Sequence, residues 1–189
     1  PTAPTTAWRL GFASANLILE RHLQDHGDHL RQLGLSVWGT ATMRTGGDDI
    51  AQAMALMGVR PVWASGSQRV DDFEILPLSL LDRPRVDVTL RVSGFFRDAF
   101  GNLIKLFDAA VQAVAALDEP DDLNPLAARV RAEQAELLAT GAEPEQARRQ
   151  AGWRVFGAKP GSYGAGVQNA IDGRQWYRRE DLAEVYLNY

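Results

Sequence analysis

The sequence predicts an α/β fold: a mainly parallel sheet flanked by helices, with a helical C-terminal extension. Three observations predict it. Val86, Val88, Leu90 and Val92 alternate with Asp87, Thr89 and Arg91, the period of a strand with one buried face. Phe96, Phe100, Leu103, Phe107, Ala110, Val114 and Leu117 then recur at fours and threes, the period of an amphipathic helix. Upstream, short apolar runs and helical patterns follow one another so that the overall order reads strand, helix, strand, strand, helix.

The elements follow in order. Trp8, Phe12, Ala15, Leu19 and Leu23 form a helical stripe that ends near Gly27. Leu33 to Trp38 is an apolar run of strand length. The stretch GTATMRTGG then reads as a loop, and Asp48 is placed to cap a helix whose buried stripe is Ile50, Met54 and Met57 and whose stop is Gly58. Val59 to Trp63 reads as a second strand and Phe73 to Leu76 as a possible third. After the long helix, DEPDDLNP breaks the pattern with acid and proline, and residues 125–139 and 144–151 look helical. WRVFG looks extended, and two short helices close the chain, the first starting near Ala165. The expected organisation is a sheet-containing domain over residues 1–120 and a mainly helical segment with a glycine-rich loop over residues 121–189. A start at PTAPTTAW without methionine and an end inside the helical pattern DLAEVYLNY lead us to expect an internal fragment of a much larger subunit.

Composition narrows the function classes. With 46% hydrophobic and 23% charged residues, the chain has the make-up of an ordinary globular protein, and no apolar run approaches the ~20 residues of a membrane span. A net charge of −4 argues against nucleic-acid binding, which needs a clustered basic excess. The absence of cysteine excludes a disulfide framework and thiolate metal chemistry. No signal peptide is visible, so a cytoplasmic location is expected.

Parallel sheets gather ligands at the carboxyl ends of their strands. Two stretches fall at such ends, WGTATMRTGGDD after the first strand and SGFFRD after the period-two strand. If those strands are neighbours, Thr40, Arg44, Thr45, Asp48, Ser93 and Arg97 share one crevice; the plainer reading is a connection with a glycine turn and a capping aspartate. A third stretch, WRVFGAKPGSYGAGVQNAID, exposes glycine amides ahead of a helix, which suits an anion. It is not a nucleotide P-loop, because Lys159 precedes Pro160 instead of entering the helix behind glycine. Lys159 and Tyr163 there are positioned to grip a carboxylate, or else the glycines form a turn that packs Phe156 and Tyr163. His22 and His26, four apart with Asp25 and Asp28 near, have a spacing that a divalent metal can use, and equally that of a solvated helix end.

Taken together, WGTATMRTGGDDIAQAMALMGVRP, VDVTLRVSGFFRDAF, NPLAARV and RVFGAKPGSYGAGVQ resemble the family formed by the large subunits of aerobic cobaltochelatases and the H-type subunits of magnesium chelatases. The motifs cover nearly the whole chain in the right order. Where the magnesium type reads WGTDNIKTEGEGIAQ, its two loop glutamates fall on Gly46 and Asp48; MRTGGDDIAQ and SGFFRD are the cobalt form. Gly101 departs from the family's proline at that position.

The resemblance implies an ATP-dependent insertion of Co2+, the metal being a substrate, into hydrogenobyrinic acid a,c-diamide during cobalamin synthesis. It implies that this subunit carries the tetrapyrrole, while separate AAA+ motor and adaptor subunits bind and hydrolyse ATP. Asp48 then becomes the candidate catalytic group, accepting a ring proton or handing over the ion. Thr40, Arg44, Thr45, Ser93, Arg97, Lys159 and Tyr163 become candidate tetrapyrrole contacts, the cations by charge-assisted bonds to peripheral carboxylates. Trp38, Phe95 and Tyr163 are candidates to line the flat face of the ring, and the amides of Gly161 to Gly166 to approach its acidic rim. A magnesium chelatase subunit acting on protoporphyrin IX, or a scaffold contacting the motor subunits, are the alternatives.

Overall fold

The computed structural model describes residues 5–67, 69–164 and 166–188. At the centre lies a three-stranded parallel sheet of β1 (Gln32–Val37), β4 (Asp87–Val92) and β5 (Val155–Gly157), in the order β1-β4-β5. Val37 pairs with Val92 and Val92 with Gly157, so all three strands end level at one edge. The strands expected at Val59 and Phe73 form instead a separate antiparallel hairpin, β2 (Val59–Trp63) with β3 (Val70–Ile75).

One face of the parallel sheet is covered by α3 (Asp48–Met57), in which every residue from Ile50 to Met57 is buried. This is more than the predicted stripe, because α3 is enclosed by the sheet, by α1 (Thr5–His26) and by α6 (Gly101–Ala115). The core joins Val88, Leu90 and Val92 of β4 to Met54 and Leu56 of α3 and to Leu103 and Phe107 of α6. Helix α1 buries Ala7, Gly11 and Ala15, whereas Phe12 and Leu23 of the expected stripe are 42% and 43% exposed. The reason is close approach: a Cβ on Gly11 would stand 2.6 Å from the Asp48 carbonyl oxygen and the Gln52 amide nitrogen. Small residues therefore face α3, Trp8 and Leu19 of the stripe pack partly buried against the core, and Phe12 and Leu23 are turned aside.

The supposed loop after Trp38 is largely helical. Residues Gly39–Thr45 form α2, which ends at left-handed Gly46, and Gly47, also left-handed, is the N-cap of α3 in place of Asp48. The long helix is likewise two helices. Its first part, α5 (Gly94–Ala99), is followed by Phe100 with φ −125° and ψ 33°, after which α6 begins. Phe100 is buried against Phe96, with ring centroids 5.3 Å apart, so the apolar spacing continues across a break in the backbone.

Beyond the acidic stretch, α7 (Pro125–Ala139) and α8 (Pro144–Ala151) pack on one another, and α7 also contacts α6 and β4. Asn124 caps α7 by accepting from the Ala127 amide. After β5 come α9 (Val167–Asp172) and α10 (Arg179–Asn188); Ala165, where the spacing starts the first of them, lies outside the described residues. A four-residue helix, α4 (Leu78–Leu81), joins β3 to β4. Two buried arginines tie these parts together. Arg85 pairs with both oxygens of Glu119 at 2.7 and 2.8 Å and donates to the carbonyls of Met57, Gly58 and Leu76, and Arg154 pairs with Asp87 at 2.7 Å. No helix among the described residues is long and apolar enough to cross a membrane.

Candidate functional site

Three loops leave the carboxyl edge of the sheet, one from each parallel strand, and Ser93 binds two of them. Its amide donates to the Val37 carbonyl, and its hydroxyl oxygen accepts from the amides of Gly39 and Phe96, each at 3.2 Å. One hydroxyl thus caps α5 and holds the start of α2 beside it, using both of its lone pairs. The fit requires two glycines. A Cβ on Gly39 would lie 2.6 Å from the Phe95 ring, and one on Gly94 would lie 2.2 Å from the Ser162 carbonyl oxygen.

Arg97, on α5, fixes the third loop. Its Nη1 donates to the carbonyls of Ala158 and Lys159 at 2.6 and 2.7 Å, while Nε and Nη2 grip both carboxylate oxygens of Asp98 at 2.7 and 3.0 Å. The Tyr163 hydroxyl donates to Asp98 at 2.9 Å, and the guanidinium carbon lies 5.9 Å from the centre of the Tyr163 ring. Bonds from Arg97 and then from Tyr163 hold the Asp98 carboxyl below the usual carboxylate range. The same bond to Asp98 raises the Tyr163 phenol above its ordinary value, and Arg97 is likewise raised chiefly by Asp98. The result is a rigid, charged strap with three exposed aromatic surfaces around it: Trp38 at 44%, Phe95 at 38% and Tyr163 at 60% exposure.

The structure therefore brings together Ser93, Arg97, Tyr163 and the backbone of Lys159, with Thr40 next to Gly39 at the start of α2. Arg44 and Thr45 lie at the far end of α2, roughly 6–8 Å along its axis from Thr40 at 1.5 Å per residue. Thr40 and Arg44 are exposed; the Thr45 hydroxyl accepts from the amides of Gly47 and Asp48. Asp48 opens α3, and its carboxylate accepts from the Asp49 amide at 2.9 Å, while the Arg97 guanidinium is engaged by Asp98, Ala158 and Lys159. Acid and guanidinium are accordingly held by different partners. Asp49, half-buried, is raised above the ordinary aspartate value first by burial and then by the Asp48 charge. Asp98 and Asp49 were not singled out by sequence spacing; the only signal for either was that it adjoins a residue that was.

The histidine pair is a stacked pair. His22 and His26 have ring centroids 4.2 Å apart, and His22 Nε2 lies 3.5 Å from Asp28. Among the described residues there is no group of three His, Cys, Asp or Glu side chains that could hold a metal ion.

The profile of the CobN/Magnesium Chelatase family matches residues 1–189. The chain belongs to that family. It is 80% identical over 184 residues to the aerobic cobaltochelatase subunit CobN of Pseudomonas aeruginosa, covering 97% of this chain and 15% of that one. To the magnesium-chelatase subunit ChlH of Oryza sativa subsp. japonica it is 37% identical, covering 98% of this chain and 13% of the relative. A solved structure of the catalytic subunit of cobaltochelatase from Mycobacterium tuberculosis superimposes with a TM-score of 0.88 at 48% identity, covering 98% of this chain and 15% of that one. The chain thus spans about 15% of the length of the chelatase subunits it matches.

Proposed function

We propose that this chain is the segment of a cobaltochelatase large subunit whose sheet edge forms one wall of the tetrapyrrole site, in an enzyme that inserts Co2+ into hydrogenobyrinic acid a,c-diamide. The observation that carries the reading is the convergence of three loops on Ser93 and Arg97 at the carboxyl edge of β1, β4 and β5, where open parallel sheets bind ligands. The greater likeness to the cobalt subunit than to the magnesium subunit supports the choice of metal.

Metal insertion requires that the ring be held still, that two ring nitrogens lose protons and that the ion shed water. The exposed faces of Trp38, Phe95 and Tyr163 suit a flat conjugated ring, and the exposed cations Arg44 and Lys159, without a carboxylate partner among the described residues, suit its peripheral carboxylates. Asp98, held below the ordinary carboxylate range, is a poor proton acceptor and serves to position Arg97 and Tyr163. Proton uptake falls to the acid pair that opens α3, with Asp49 raised beside Asp48, and an aspartate oxygen is also an exchangeable ligand for a divalent ion. ATP is hydrolysed by AAA+ partner subunits in the cytoplasm and is not bound by this segment.

The test is substitution in the full-length subunit. Arg97→Ala should weaken binding of hydrogenobyrinic acid a,c-diamide about tenfold or more, by releasing the loop of Lys159 and Tyr163 that it holds in place. Asp48→Ala should lower the rate of Co2+ insertion about a hundredfold or more with affinity little changed. Wild-type affinity and rate in both variants would dismiss the sheet edge as a site. A second reading, a scaffold that meets the motor subunits, is favoured by the full set of bonds Arg97 already makes. It predicts that Arg97→Ala lowers stimulation of partner ATPase activity and leaves tetrapyrrole affinity unchanged.

A further inference from the structure

The face of the parallel sheet turned away from α3 carries a groove of about 740 Å³ between the strands and α10, within the size range of small-molecule sites. It is lined by Gly34, Ser36, Arg91, Phe156, Lys159 and Tyr186, among others. The described residues that line it include two cations and no carboxylate.

Arg91 stands out within it. It projects from the middle strand, where the preceding outward positions are Asp87, which is paired with Arg154, and Thr89. Its Nη2 donates to the Tyr186 carbonyl at 3.1 Å and its guanidinium lies 5.2 Å from the centre of the Tyr186 ring, but its Nε is buried with no hydrogen-bond partner. Among the described residues no carboxylate pairs with it. A desolvated guanidinium N–H without an acceptor is costly, and a cation on a sheet without a counter-ion is a place where an anion is missing. Phe156, 47% exposed, supplies an apolar surface, and Tyr186 is fixed by the Ser36 hydroxyl at 2.9 Å.

Gly34 gives a second, independent sign. It sits in the middle of β1 without a positive φ, so no backbone strain calls for glycine there, and a Cβ at this position would meet nothing within 4 Å. A glycine inside a strand that is required neither by backbone nor by protein packing fits a surface that a ligand approaches closely. Lys159, whose carbonyl Arg97 holds, lines the same groove, so the groove is continuous with the loops at the carboxyl edge.

We propose that this groove receives a carboxylate-bearing edge of the tetrapyrrole, with the carboxylate between the groove-lining cations Arg91 and Lys159 and the conjugated body against Phe156 and over Gly34. The inference rests on the reading of the sheet edge as a tetrapyrrole site and extends that site onto the sheet face. The test measures, by absorbance and fluorescence quenching in the full-length subunit, the affinity for hydrogenobyrinic acid a,c-diamide of three variants: Arg91→Gln, Gly34→Leu and Arg97→Ala. Arg91→Gln removes the charge, and Gly34→Leu fills the groove from a position open enough to leave the fold intact. The proposal expects each of these two to weaken binding about tenfold or more. It also expects the affinity advantage of the free acid over its methyl ester to shrink in Arg91→Gln, a ratio that a loss of folded protein does not alter. Wild-type affinity in either groove variant, with weakened binding in Arg97→Ala, overturns the groove and leaves the sheet edge standing. Wild-type affinity in all three overturns both. If Arg91→Gln does not fold, Gly34→Leu decides alone.

Discussion

Asp98 accepts from Arg97 and from Tyr163 at once, and that one carboxylate sets the ionisation of both neighbours. Because its folded pKa is depressed, the order it imposes is fully present above the ordinary aspartate value, ~3.9, and is lost as pH falls through the lower folded value. Tyr163 has the opposite sign: its raised pKa makes the neutral phenol the bound form, present below ~10 and lost as pH rises through the folded value. Asp98→Asn should therefore move the tyrosinate absorbance change of Tyr163, identified by difference against Tyr163→Phe, to lower pH. Glu119 gives a second prediction at this scale. It faces Arg85, whose side chain is 1% exposed, and that bond is the chief reason its carboxyl is held low. Glu119→Ala should cost about 3 kcal/mol in urea unfolding, the penalty of leaving a buried cation without its partner. In the parent protein the stability from this pair should fade as pH drops below ~4.3, and in the variant that part of the pH dependence should be gone. The sequence marked Ser93, Arg97 and Tyr163, since each stands in a loop beside a strand end or a glycine run. For Asp98 it offered only the adjacency to Arg97, and for Arg85 and Arg91 nothing, because Tyr163, Glu119 and Tyr186, which they meet, lie 65, 34 and 95 residues away.

At the scale of elements, glycines decide how closely parts meet. Gly94→Ala would place a methyl group 2.2 Å from the Ser162 carbonyl oxygen, which must then move with the glycine-rich loop that carries Tyr163. That variant should lose the Asp98–Tyr163 bond, readable as a Tyr163 titration that returns towards ~10, while the sheet remains folded. Gly11→Ala should press α1 away from α3 at Asp48 and Gln52 and cost about 1–3 kcal/mol, the usual penalty of overpacking. Periodicity found most helices and strands because it reports which face is buried. It failed where burial and backbone part company. Phe96 and Phe100 keep helical spacing across a broken helix, and α1 turns its small residues inward. The helix α2 was hidden because six of its seven residues are small, polar or charged and the two glycines that follow it, Gly46 and Gly47, suggested a turn.

At the scale of the whole molecule, one sheet presents a single carboxyl edge, and β5, three residues long and far along the chain, completes it beside β4. Nothing in a three-residue strand's spacing names its neighbour, so strand order was beyond sequence, although the α/β class and the two strand-end loops were legible. The net charge of −4 is no obstacle to an anionic ligand, since Arg44, Arg91 and Lys159 face solvent or groove without carboxylate partners among the described residues. The central claim is that this edge borders the tetrapyrrole. Its most direct test is a structure of the full-length subunit with hydrogenobyrinic acid a,c-diamide bound. The account predicts the macrocycle in contact with Phe95 and Tyr163 at the ends of β1, β4 and β5, with a peripheral carboxylate reaching a cation of this segment. A macrocycle bound in a cavity that none of these three strand-end loops touches would contradict it.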